Sequence, residues 1–85
     1  MKEILTFPCR FPLKIIGEKQ QGFIETLITL VRLHAPDLVE HDITSRDSAN
    51  SRYLSVTVTI NATSREQLDR LYLALTSHAM VKVVL

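Results

Sequence analysis

SVTVTINATSREQLDRLY, residues 55–72, changes its period halfway along. Val56, Val58 and Ile60 alternate with Ser55, Thr57 and Thr59, the two-residue repeat of a strand with one buried face. From Leu68 the apolar positions recur as Leu68, Leu71, Tyr72 and Leu75, the stripe of a helix. Between the two lies Asn61-Ala62-Thr63, which has the form of an N-glycosylation acceptor. Thr63 and Glu66 stand at capping-box spacing. The Thr63 side chain would accept from the Glu66 N–H, and Glu66 would reach back to the N–H of Thr63. The tripeptide therefore reads as the joint where a strand becomes a helix, not as a processing signal.

Working outward, the strand extends over Arg52 to Asn61, with Leu54, Val56, Val58 and Ile60 inward and Tyr53, Ser55, Thr57 and Thr59 outward. The helix that follows ends near Ser77 or His78, and Met80 to Leu85 form a last, Val-rich strand. Upstream, Phe11 to Gly17 is a first strand. Phe11, Leu13 and Ile15 take one face, and Lys14 and Ile16 the other. Pro12 sits at its start, where a missing N–H is tolerated, and Gly17 ends it. Gln20 to Ala35 is a first helix, whose buried stripe is Phe23, Ile24, Leu27, Leu30, Val31 and His34. Ile28 and Leu33 fall partly off that stripe, and Pro36 stops the ladder. Val39 to Asp47 reads as a second strand anchored by Val39 and Ile43. Its remaining polar residues suit a sheet edge. Asp47 to Ser51 is a turn-rich loop. Residues 1–10 run extended along the surface or pack one or two side chains, such as Ile4 and Phe7, onto the core.

The order β-α-β-β-α-β around a central hairpin predicts an α+β, ferredoxin-like split βαβ fold. A four-stranded antiparallel sheet in spatial order 4-1-3-2 carries two helices on one face. All of residues 1–85 form one domain. The opposite face is predicted to be open. The last strand lies at an edge yet is apolar on both sides, with Lys82 as its only charge. That edge invites cover by the N-terminal segment or by a second copy of the chain.

Composition narrows the functional classes. A chain of 85 residues buries only roughly 60–65% of the surface its unfolded form exposes, so its core is modest. Cys9 is the only cysteine, which excludes a disulfide within the chain and argues against a structural zinc site. The formal net charge is +1, without the basic excess of a nucleic-acid binder. Pro8, Arg10, Pro12 and Lys14 break the apolar run a signal peptide needs. No apolar stretch approaches the roughly 20 residues of a membrane span. The expectation is a cytoplasmic protein with no nucleic-acid or membrane partner.

The sequence marks no catalytic constellation. Cys9 has no histidine set beside it, and adjacent Arg10 points to the opposite face of an extended chain. His34, His41 and His78 are too dispersed for a metal site, and His41 and His78 read as solvated. Gly17 and Gly22 flank Glu18 to Gln21, but the arginine that acylphosphatases place after such a loop is absent. The open face offers Lys14, Ile16, Tyr53, Ser55, Thr57 and Thr59, too few aromatics to stack RNA bases. Arg46 and Arg52 bracket the hairpin loop and read as its solvated tip. No enzyme, cofactor or metal is expected.

The phrases FPCRFPLKIIG, RLHAPD, YLSVTVTINATSREQLDRLYLAL and MVKVVL, in that order, resemble the YbeD-like family of small bacterial proteins. The resemblance runs from about Phe7 to Leu85. It implies a ferredoxin-like, ACT-resembling fold, no established activity or catalytic residues, and a genomic context near lipoate biosynthesis. The loop Asp47 to Ser51 departs from the pattern, lacking the expected glycine. Together these readings describe a non-enzymatic regulatory or protein-interaction module. The alternative is an ACT-like sensor of an amino acid or related small molecule, dimeric and linked to lipoate metabolism. The residues expected at a ligand or partner surface are Lys14, Gly17, Lys19 and Tyr53.

Overall fold

The structure, a computed structural model, describes residues 5–48 and 50–85. In chain order it contains β1 (Cys9–Glu18), α1 (Phe23–His34), a 3-10 turn (Glu40–Asp42), β2 (Ile43–Asp47), β3 (Tyr53–Ala62), α2 (Arg65–Thr76) and β4 (Val83–Val84). The strands form one antiparallel sheet ordered β2-β3-β1-β4, the arrangement the sequence predicts. β1 and β3 pair along their whole lengths, from Cys9 opposite Ala62 to Glu18 opposite Tyr53. Strict alternation fixes this register, because a slip of one residue would turn Val56, Val58 and Ile60 out into water. Those three side chains are buried, as are Leu13 and Ile15 across from them. Phe23, Leu27 and Val31 from α1 and Leu68, Leu71 and Leu75 from α2 complete one continuous core. Both helices thus cover the same face of the sheet.

Several boundaries differ from the sequence reading, each for a local reason. β1 starts at Cys9, two residues before the expected strand start at Phe11. Phe7 packs against the core as anticipated, whereas Ile4 lies outside the described residues. Pro12 is interior to β1 and not at its start. It is tolerated because Lys14 exchanges backbone hydrogen bonds with Leu85 of the C-terminal strand, at 3.0 and 2.8 Å. Residues two apart direct their backbone groups to the same side. The nitrogen of Pro12 therefore points past the end of β4, where no ladder bond is lost.

The stretch Val39–Asp42 is not strand. Val39 is 44% exposed, and the chain closes into the 3-10 turn with the Asp42 N–H donating to the Val39 carbonyl at 3.0 Å. In return the Asp42 carboxylate accepts from the Val39 N–H at 3.2 Å. It also accepts a charge-assisted bond from Arg10 of β1. Arg10 further donates to Asn61 Oδ1 at 2.8 Å, and Asn61 Nδ2 donates to Asp37 at 2.7 Å. The asparagine of the N-x-T tripeptide thus pins the end of β3 to its neighbours.

α1 begins at Phe23 and α2 at Arg65. The N-cap of α2 is Ser64, one residue beyond Thr63. Its side chain accepts from the Gln67 N–H at 3.1 Å. The Gln67 side chain accepts from the Thr63 N–H at 2.7 Å and donates to the His34 carbonyl at 2.8 Å. One glutamine thereby caps α2 and ties it to the end of α1. Tyr72, assigned to the buried stripe, is 51% exposed. His78, expected in solvent, is half-buried, and its Nδ1 accepts from the Met80 N–H at 3.1 Å. This bond turns the chain toward β4. β4 itself is only two residues long, though pairing continues to either side through Lys82 and Leu85.

Neither glycine is a simple strand end. Gly22 precedes α1 with φ of 84°, a conformation that strains any side chain. Gly17 lies within β1. A Cβ there would press into the Met80 carbonyl oxygen and come within 2.7 Å of the Phe23 ring. Gly17→Ala is expected to destabilise the fold by about 1–3 kcal/mol, measured as a lower urea midpoint at unchanged m-value.

The hydrogen bonds from Arg10 and then from the Val39 N–H hold the Asp42 carboxyl below its ordinary value of 3.8. A depressed carboxyl stabilises the fold above its unfolded-state value, and that stability is lost as pH falls through the folded-state value. Unfolding midpoints should therefore drop on acidification below about pH 4, and Asp42→Asn should flatten that acid limb while lowering stability at pH 7.

Candidate functional site

The uncovered face of the sheet is built by parity. On β1, β3 and β2 the residues alternating with the core positions are Lys14 and Ile16; Tyr53, Ser55, Thr57 and Thr59; and Thr44 and Arg46. The register sets Lys14, Thr57 and Thr44 in one row across three strands, and Ile16, Ser55 and Arg46 in the next. A concavity of about 380 Å³ lies over these rows, lined by Lys14, Arg46, Thr44, Ser55 and Thr57 together with the start of the β2–β3 hairpin. Small-molecule clefts begin near this size, at roughly 300 Å³.

The ion pairs around this face leave two cations over. Lys19 pairs with Asp47 at 3.0 Å, Lys82 faces Glu18 at 3.9 Å, and Arg10 holds Asp42. Among the described residues neither Lys14 nor Arg46 has a carboxylate partner. Asp47, which also lines the concavity, is already paired with Lys19. The face thus presents net positive charge in a strip of hydroxyls.

The residues expected at a ligand surface separate into different places. Lys14 lines the concavity. Tyr53 shares the face but lies toward its end, opposite Glu18, and is 38% exposed. Lys19 sits on the loop into α1, with its N–H donating to the Arg52 carbonyl at 2.9 Å. It lines a separate cleft with Gln20, Gly22 and Phe23. Gly17 is buried beneath Phe23. Arg46, placed in the second strand but read as bracketing a solvated hairpin tip, lines the concavity. Its parity with Thr44 was the available signal.

A second surface is apolar. Leu5, Phe11, Tyr72 and Leu85 line a groove between the first half of β1 and α2. Val83 and Leu85 on the adjoining edge are 43% and 70% exposed. Cys9 is half-buried and free. Among the described residues no three His, Cys, Asp or Glu side chains gather as metal ligands, and no helix is long and apolar enough to cross a membrane.

The family model described as "Protein of unknown function (DUF493)" matches residues 2–85. A UPF0250 protein of Chromobacterium violaceum is 55% identical over 84 residues, covering 99% of this chain and 94% of its own. A UPF0250 protein of Nitrosomonas europaea is 46% identical over 84 residues, with 99% and 97% covered. Among solved structures, the solution structure of protein HP0495 from H. pylori superposes with a TM-score of 0.75 at 15% identity, covering 99% of this chain and 88% of that one. The ACT domain from GTP pyrophosphokinase of Chlorobium tepidum follows the same fold with a TM-score of 0.68 at 17% identity, covering 91% and 83%. These structural likenesses establish an ACT-like, ferredoxin-like fold. The sequence matches, with the YbeD-like resemblance of the quoted phrases, establish that the chain belongs to the DUF493, or UPF0250, family of small bacterial proteins.

Proposed function

We propose that the protein is a non-enzymatic regulatory module that acts by binding, with the uncovered face of the sheet as its working surface. The observation that carries this reading is the asymmetry of the sheet. One face is sealed by α1 and α2, whereas the other holds a polar concavity flanked by Lys14 and Arg46. The ACT-like fold supports a regulatory role by analogy of architecture alone.

A second reading is a dimeric sensor of an amino acid or a related small molecule. It is favoured by the apolar groove beside α2 and the exposed Val83 and Leu85, a surface suited to a second copy of the chain. The two readings differ in where a ligand acts and in assembly state.

Thermal unfolding of the purified protein against amino acids, octanoate, lipoate and phosphate esters tests both. A ligand at about 100 times its dissociation constant adds roughly 2.7 kcal/mol. In a domain of this size the midpoint should rise by on the order of 10 °C. The first reading expects a saturable rise for a monomer, abolished by substitutions at Lys14 or Arg46. A rise that appears only with dimerisation in sedimentation velocity, and that survives those substitutions, would replace it with the second.

A further inference from the structure

The geometry points to a small phosphate monoester as the ligand of the open face, held between Lys14 and Arg46; this inference rests on that face being the binding surface. β1 and β2 flank β3 and the two cations stand in adjacent rows, so the backbone positions carrying them are roughly 12 Å apart. Both side chains are long and flexible enough to lean over the strand between them, and both line the same concavity. Beneath them β3 offers Ser55 and Thr57, and β2 offers Thr44. None of these three hydroxyls has a side-chain hydrogen bond to another described residue. Two cations and three free donors thus converge on one small volume.

This chemistry selects among anions. A phosphate monoester carries close to two negative charges at neutral pH and three strong acceptor oxygens. It can engage the guanidinium with two oxygens and the ammonium with the third, in charge-assisted bonds. The hydroxyls take the remaining lone pairs. A single carboxylate would leave one cation unmatched. Asp47 does not compete for the cations, since Lys19 occupies it at 3.0 Å. Ile16 is the one aliphatic residue in the two rows, and neither row carries an aromatic ring for a base to stack on.

The test is a titration of the full chain with glycerol phosphate, followed by amide chemical shifts, at fixed ionic strength. Saturable shifts are expected at Lys14, Thr44, Arg46, Ser55 and Thr57. Lys14→Met and Arg46→Met should each weaken binding about tenfold or more, the scale of one lost charge-assisted bond. Arg70→Gln on the outer side of α2 should leave it unchanged. An unaltered unfolding midpoint in each variant separates lost binding from lost folding. If glutamate or octanoate saturates the same amides and glycerol phosphate does not, the phosphate assignment falls and the open-face reading stands. If the shifts gather at Gly22 to Thr26 or along β4, both fall. Preference for single-stranded RNA over the ester, with steep salt dependence, would overturn the small-ligand assignment, as would shifts that never saturate with any anion.

Discussion

The fold depends on a place where there is no side chain. At Gly17 the central strand is bare, and two other parts of the chain use the space. The Phe23 ring from the first turn of α1 lies over it, and the Met80 carbonyl approaches as the chain enters the last strand. The strand, the helix entry and the C-terminal approach can therefore pack together only if that position is empty. Phe23 is among the largest fully buried side chains, so the contact anchors the core as well as the topology. Backbone is less yielding than a side-chain tip, and the Met80 carbonyl sets the stricter of the two limits.

Much of this was legible in the sequence where periodicity was strong. β3 reads from Leu54 to Ile60 without ambiguity, because every second residue is aliphatic and every other one is not. The strand order and the single helical layer follow from it. What the sequence did not give were features decided by partners distant in the chain. Asp42 looked like one more polar residue on an edge strand. Its conformation is set by Arg10, 32 residues away, and no local pattern announces that. The sequence reading put the cap of α2 at Thr63 with Glu66, one residue early, because the same spacing also fits Ser64 with Gln67. Ser64 is the cap in the structure, where Gln67 also reaches the His34 carbonyl. Tyr72 was read into the same buried stripe as Leu71, and only Leu71 is buried.

The candidate surface was half legible. Lys14 and Tyr53 were placed on one face by strand parity, and they share it. Arg46 was placed in the second strand but set aside as bracketing a solvated hairpin tip, although its distance from Ile43 already put it on the same face. Pairing of charges was beyond the sequence. Which lysines and arginines are neutralised depends on the register of three strands and on the loop carrying Lys19. Only with those in place does the excess of positive charge localise over Thr57 and Ser55.

The brevity of β4 has a consequence for motion. In β1 the amide of Lys14 is held by Leu85 of the C-terminal strand, while the amides of Leu13 and Ile15 turn to β3. Two neighbouring sets of protons on one strand are thus guarded by different ladders. The ladder to β3 is ten residues long, and the one to β4 is a fraction of that. Opening of the chain end, a local event far cheaper than global unfolding, would release Lys14 to solvent exchange while its immediate neighbours stay protected. The strand at the centre of the molecule carries two clocks, one set by the core and one by the last few residues of the chain.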